Sequence, residues 1–340
     1  MSEHLKICGI HHITAIASSA SENVAFYENV LGLRLVKKTV NFDDPYTYHL
    51  YYGDSNGTPG TIITFFPWNN LPRGKAGAGM VTSIAFSIPM GSVSYWRKRL
   101  IRHGIESMAG ERFGENIIQF EDPHGLSLEL IETPRVHPAI DPSSHSKSAD
   151  NRIVGFHSAT ALLRSLENTQ SLLVNLMGMM LHDTEGNRYR FRMKNDDAFE
   201  QFYDVVVDSQ AKAGQQGGGT VHHIAFRTPT DNEQLYWRKL LMDNGYSVTP
   251  IRDRKYFKAI YLNEPEGVLF EIATDPPGFT VDEPYESLGC DLKLPDQYEA
   301  MRSEIEGRLP KLPSPGFIYE SVQPDDQEDD EQTPVALQRQ

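Results

Sequence analysis

Two histidines and one glutamate, His12, His223 and Glu271, have the strongest claim to chemistry in this chain of 340 residues. Each stands at a position that recurs along the sequence. An apolar opening segment recurs four times, with His12, Ser83, Ser158 and His223 at the corresponding place. In the closing apolar segment, four residues after a glycine, stand Thr64, Glu129 and Glu271, with no clear equivalent in the third copy. The first and fourth copies therefore carry the full ligand-capable set, and the second and third have lost both histidines. Two imidazoles and one carboxylate on one face of an ion suit non-haem Fe(II), with positions left open for a substrate and O2. Mn(II) accepts the same nitrogen and oxygen donors. A carboxylate at Thr64 would make a four-ligand site, the arrangement of metal-dependent isomerases of similar build, so Thr64 favours an oxygenase. A lone histidine in an apolar strand is ordinarily a packed core residue, but three ligand types at equivalent positions are not so explained. Glu129, without a histidine beside it, reads as a structural carboxylate.

The elements that must position these residues are legible from the repeat itself. Gly9 to Ala15 (GIHHITA) answers Gly155 to Ala161 (GFHSATA), and at the same offset Asn29-Val30-Leu31-Gly32 answers Asn175-Leu176-Met177-Gly178. Ser83-Ile84-Ala85-Phe86 answers His223-Ile224-Ala225-Phe226, and Tyr95-Trp96-Arg97-Lys98 answers Tyr236-Trp237-Arg238-Lys239. Asp122-Pro123-His124-Gly125 with Glu129 answers Glu264-Pro265-Glu266-Gly267 with Glu271. The chain thus divides into an N-terminal half, 1–134, with modules at 5–67 and 78–134, and a C-terminal half, 151–275, with modules at 151–207 and 219–275. A Pro-, Ser- and His-containing linker, 135–150, separates them. An extension, 276–313, includes a helical stretch near Pro295–Arg308. The acidic tail, 314–340, has too little apolar surface to offset chain entropy and is expected to be disordered.

Within each module an apolar strand is followed by a helical pattern and then by short strands. In the first, Ser21 is placed as the cap of a helix with Val24, Tyr27, Val30 and Leu31 on one face and Gly32 as its stop. Gly104 and Gly245 stop the helices of modules two and four. YHLYYGD, GTIITFF, IIQF and LSLELIE read as strands. A β-α-β-β-β unit cannot close a barrel alone, but two together form a cupped sheet able to hold a metal between first and last strands. The expected fold is α+β: four such modules in two cupped sheets, module one pairing with module four and two with three. Only that pairing brings His12, His223 and Glu271 to one site.

A formal net charge of -14, partly from the tail, argues against nucleic acid as a partner. The two cysteines, Cys8 and Cys290, suggest neither a disulfide framework nor a thiolate site. No signal-like leader and no run of about twenty apolar residues is present, so a cytoplasmic protein without a membrane partner is expected. Sheet edges and the extension leave a homo-oligomer open.

GIHHITAIAS, LGLRLVKKTVNFDDPYTYHLYYGD, GTPGTIITFFPW, GTVHHIAF and GVLFEIATD resemble ring-cleaving dioxygenases of the vicinal oxygen chelate, or glyoxalase, superfamily. The subgroup is similar to hydroquinone dioxygenases that open para-dihydroxybenzenes, and the likeness runs to about Pro313. It implies a glyoxalase/bleomycin-resistance-like fold, Fe(II) on His12, His223 and Glu271, and a small aromatic diol and O2 as reactants. It also implies a surrounding shell of His11, His222, Thr14, Arg254 and Tyr261. Strand parity supports Thr14, which shares a side with His12, and turns His11 and His222 away unless the strands bulge. Tyr261 and the histidines are candidates for proton handling, and Arg254 for stabilising negative charge. Tyr48, His49, Tyr51 and Tyr52 form an aromatic strand read chiefly as core, with a place in the cup open to any of them.

Two rival classes stand beside this reading. A glyoxalase-type isomerase needs a fourth ligand or a glutathione-binding patch, which Thr64 does not supply. A metal-free quinone- or drug-binding protein of the same fold has no need to retain all three candidate ligands.

Overall fold

The computed structural model describes residues 5–134, 151–193 and 200–313. The expected linker, 135–150, and the acidic tail, 314–340, lie outside the described residues. Module one comprises β1 (Ile10–Ala17), α1 (Ala20–Ala25), β2 (Arg34–Asn41), β3 (Asp44–Gly53) and β4 (Ile62–Pro67). Module two comprises β5 (Met80–Pro89), α2 (Val93–Arg102), β6 (Ser107–Arg112), β7 (Glu115–Glu121) and β8 (Ser127–Thr133). Module three runs through β9 (Gly155–Leu163), α3 (Glu167–Ser171), β10 (Met180–Glu185), β11 (Arg188–Arg192) and β12 (Phe202–Val207). Module four runs through β13 (Val221–Thr228), α4 (Asp231–Asp243), β14 (Arg252–Asp253), β15 (Lys258–Asn263) and β16 (Leu269–Thr274).

These strands form two eight-stranded sheets, ordered β14-β15-β16-β13-β1-β4-β3-β2 and β10-β11-β12-β9-β5-β8-β7-β6. Opening strands meet antiparallel at the centre of each sheet, β1 on β13 and β5 on β9. Module one therefore shares a sheet with module four, and module two with module three, as the distribution of ligand types requires. Strand alternation divides the two faces. Ile13, Ile63, Phe65, Ile224, Phe270 and Ile272 join the main hydrophobic core with helix residues Val24, Trp237 and Leu241. The residues between them, His12, Thr14, Thr64, His223 and Glu271, face the concave side.

The α1 cap differs from the expectation. Ser19, not Ser21, is extended, and its side chain accepts the Glu22 backbone N–H at 3.3 Å. The cap must lie outside the helix with an acidic residue three positions on, which Ser19 and Glu22 satisfy and Ser21 does not. Beyond α1 the chain widens into a π turn, Phe26–Val30, and module three repeats it at Leu172–Leu176. Gly32 stops the first helix with φ of 70°, a left-handed conformation that favours glycine.

Two further features shape the site. First, each central strand pair is bulged at matching places. Ile10 opposes Phe226 while His12 opposes Ala225, leaving His11 as the extra residue; Thr14 opposes His223 while Ala15 opposes Val221, leaving His222 extra. In the second sheet the extra residues are Thr82 and His157. Second, residues after Asp275 strap across β2 and β3. Lys37, fully buried, donates to Asp282 and Glu283, Lys38 to the Cys290 carbonyl, and the Tyr298 hydroxyl to the Phe42 carbonyl.

Candidate metal centre

On the concave face of the first sheet, ligand atoms of His12, His223 and Glu271 lie within 4.8 Å of one another, all three residues buried. The His12 and His223 Nε2 atoms are 3.3 Å apart, and Glu271 Oε2 is 2.9 Å from His223 Nε2 and 3.6 Å from His12 Nε2. Among the described residues neither Glu271 oxygen has a well-formed hydrogen bond, although the side chain is fully buried. An unsatisfied buried carboxylate facing two imidazole nitrogens is unfavourable alone and suits a shared divalent cation. Burial by itself would raise the Glu271 carboxyl, but His12 and His223 outweigh it and hold the group well below the usual carboxylate range. Burial lowers the His223 pKa, helped by His12 and Arg254 and opposed by Glu271. An anionic carboxylate and a neutral imidazole are the donor forms a metal needs.

The bulges turn His11 and His222 toward the neighbouring histidines, the exception to strand parity that the sequence left open. His11 Nδ1 lies 2.9 Å from His12 Nδ1, and His222 Nδ1 lies 2.8 Å from His223 Nδ1. When His11 or His222 accepts through Nδ1, the partner carries its proton on Nδ1 and keeps the Nε2 lone pair for the centre. Burial drives the His11 pKa well below its ordinary value, and His12 adds to this; burial and His223 push His222 down to about 4. Both residues are thus kept neutral, the form able to accept.

Thr14 and Tyr261 also lie beside the triad. Thr14 is directly opposite His223 across the central pair, and its hydroxyl contacts Thr64 Oγ1 at 2.8 Å. Thr64 Oγ1 is 2.9 Å from His49 Nε2, and His49 Nδ1 is 2.8 Å from the Tyr51 hydroxyl. Tyr261 is the cross-strand partner of Glu271, and Arg254 Nε donates to its hydroxyl at 3.3 Å. Burial, then Glu271, raises the Tyr261 pKa against the opposing pull of Arg254, so the phenol stays protonated. Arg254 also approaches Asp43 at 3.6 Å.

One end of the cup is closed by Val36, Tyr51, Ile62, Ala225, Phe257 and Phe279, part of a separate apolar cluster. Phe257 packs on His11 and His12, with ring centroids 5.0 Å and 4.9 Å away. At the other end the concave positions continue through Ile16, Val221, Asn263 and Leu269 into a cleft of about 630 Å³, also lined by Trp68 and Met80. The cleft reaches the triad on its His222 and His223 side.

The second cup shows what these positions become without a metal-ligand set. Glu129 accepts from Arg112 Nη1 and Nη2 at 2.7 and 2.8 Å and from Gln119 at 3.0 Å. A guanidinium thus neutralises the carboxylate equivalent to Glu271. Arg254, the counterpart of Arg112, reaches Tyr261 instead. Module three does have a residue equivalent to Thr64. Asp204 opposes Thr160 as Thr64 opposes Thr14, and it is paired with Arg190 at 2.9 and 3.0 Å. Glu200 stands four residues before it in place of the marking glycine, which hid the equivalence.

Within the aromatic run of β3, His49 and Tyr51 face the cup and Tyr48 and Tyr52 belong to the main core, a division the run of residue types does not itself display. Alternation along β3, anchored on Tyr51 opposite Thr64, carries that information. Phe257 and the strap residue Phe279 were also missed, and no local pattern marks either.

The model of the Glyoxalase/Bleomycin resistance protein/Dioxygenase superfamily matches residues 9–130 and 156–272. MhqO of Bacillus subtilis, by name a ring-cleaving dioxygenase, is 47% identical over 306 residues, covering 90% of this chain and 97% of its own. A chlorohydroquinone/hydroquinone 1,2-dioxygenase of Sphingobium indicum is 36% identical over 312 residues, covering 88% and 95%. A crystal structure of a Bacillus subtilis protein, described as a dioxygenase, superposes with a TM-score of 0.86 at 46% identity over 91% of this chain and 98% of its own. Glyoxalase I from Zea mays shares the fold at a TM-score of 0.60 and 13% identity, covering 78% of this chain and 92% of its own.

Proposed function

The chain belongs to the Glyoxalase/Bleomycin resistance protein/Dioxygenase superfamily, and on that premise we propose that it is an Fe(II)-dependent dioxygenase cleaving the ring of a hydroquinone- or catechol-type diol with O2. The observation carrying this reading is the buried Glu271 carboxylate, its oxygens without a well-formed hydrogen bond among the described residues, facing two imidazole nitrogens beside an open cleft. The names of its relatives supply the reaction class. Mn(II) suits the same three donors. Thr64, whose hydroxyl is engaged by Thr14 and His49, counts against the four-ligand isomerase reading.

His12, His223 and Glu271 would hold the ion, and such an ion supplies Lewis acidity toward a phenol oxygen and the one-electron chemistry through which O2 reacts with an aromatic ring. His11 and His222 fix the orientation of the two ligand rings through their Nδ1 contacts. The diol enters by the mouth at Trp68 and Met80 and rests toward Tyr261 and Thr14. Tyr261 keeps its proton on the phenol oxygen and acts as general acid, while Arg254 holds that hydroxyl and stabilises negative charge on the reacting oxygens. Phe257 and the closed apolar end exclude water from the far side.

The test is anaerobic reconstitution with Fe(II), followed by oxygen uptake and product mass for ortho- and para-diphenols. Stoichiometric uptake with addition of both oxygen atoms to a ring-opened product is expected. No uptake with any diphenol by the iron-loaded protein refutes the reading.

A further inference from the structure

Four side chains on three neighbouring strands form one continuous hydrogen-bonded chain: Tyr51 and His49 on β3, Thr64 on β4 and Thr14 on β1. Its three contacts are 2.8, 2.9 and 2.8 Å, and all four residues are buried. Burial drives the His49 pKa well below its ordinary value, so the imidazole is neutral and carries one N–H and one lone pair. A neutral imidazole transmits direction: if it accepts at one nitrogen it donates at the other.

Two senses exist. In one, Thr14 donates to Thr64, Thr64 to His49 Nε2, and His49 Nδ1–H to the Tyr51 oxygen. The Tyr51 proton is then left without an acceptor, because among the described residues His49 is the only hydrogen-bond partner of this buried hydroxyl. That sense leaves a buried donor unsatisfied. In the other, Tyr51 donates to His49 Nδ1, His49 Nε2–H to Thr64, and Thr64 to Thr14. The free proton is then that of Thr14, on the concave face opposite His223, a residue that lines the cleft.

We infer that Tyr51, His49 and Thr64 are positioning residues that set the direction of this chain, so that Thr14 presents its hydroxyl proton to an anionic oxygen of the bound ligand. The inference rests on the proposed diol reading and deepens it: the favoured species carries a phenolate oxygen at Thr14, and a ligand with a hydroxyl donor there is disfavoured. No proton is transferred and no charge moves along the chain; only hydrogen-bond sense is fixed.

A double-mutant cycle tests it with 4-nitrocatechol, whose absorbance reports both binding and ionisation, on protein loaded with redox-inert Zn(II). Thr14→Val should weaken binding of the anion roughly tenfold or more, the loss of one hydrogen bond to a charged oxygen, and Thr14→Ser should restore it. Tyr51→Phe, which frees the chain to reverse, should weaken it severalfold in the wild-type background. In the Thr14→Val background Tyr51→Phe should have no effect. If Thr14→Val does not fold, Thr64→Val takes its place and must silence Tyr51→Phe in the same way. Additive losses, or an unchanged dissociation constant in Tyr51→Phe, overturn the inference while leaving the diol reading intact. Failure of the wild-type Zn(II) protein to bind the dye overturns the diol reading and the inference with it.

Discussion

Replacing His11 by Phe isolates what the buried histidine contacts contribute to metal affinity. The new ring retains the volume that packs on Phe257, 5.0 Å away, but removes the nitrogen 2.9 Å from His12 Nδ1. His11 is 2% exposed, so no solvent replaces the lost acceptor, and the His12 N–H is left buried without a partner. That deficiency is worth about 1–3 kcal/mol, or roughly a five- to 150-fold weaker metal dissociation constant. His222 makes the equivalent 2.8 Å contact with His223 but is only partly buried and borders the mouth cleft. Water can serve the His223 N–H there, so His222→Phe should weaken metal binding by less than about fivefold. Anaerobic competition titration with a chromophoric chelator measures both constants. Equal losses, a larger loss at His222, or no loss at His11 would show that these buried contacts do not govern metal affinity.

Arg112→Met removes both charge-assisted bonds to Glu129 and leaves a buried carboxylate held by Gln119 alone; urea unfolding should show a loss of about 3–5 kcal/mol, and a loss under about 1 kcal/mol would contradict the pairing. Burial raises Glu115 and Glu129, but His157 and Arg190 bring Glu115 down to about 2 and Arg112 with Gln119 depresses Glu129. Groups with depressed folded values stabilise the protein above their unfolded value of about 4.3 and lose that contribution as pH falls through the folded values. Urea midpoints should therefore drop between pH 5 and pH 2, and a flat profile would count against these pairs. Lys37→Met should loosen the strap by leaving Glu283 buried without its cation, making the 276–313 segment more sensitive to limited proteolysis than in the wild type; unchanged cleavage would show that the pair does not hold the strap.

The sheet pairing was readable because ligand types survive only in modules one and four, and a metal site needs both. Gly32, Gly104 and Gly245 marked helix ends because their backbone lies in the left-handed region. The orientation of His11 and His222 was not readable. A bulge consumes one residue of the two-residue period, and nothing in GIHHITA or GTVHHIAF reveals which residue is consumed. Asp204 escaped because Glu200 replaces the glycine that marks its equivalents. The strap escaped for a different reason: Lys37 pairs with Asp282 and Glu283, more than two hundred residues away in sequence, and no local pattern announces a partner at that distance.

On the proposed reading, modules one and four together build one mononuclear ferrous site. Iron content after anaerobic loading and desalting decides this, in the wild type and in Glu271→Gln with circular dichroism confirming the fold. The expected result is one Fe(II) per wild-type chain and essentially none in the variant. A folded Glu271→Gln protein that keeps its iron, or a folded wild type that takes up none, would contradict it.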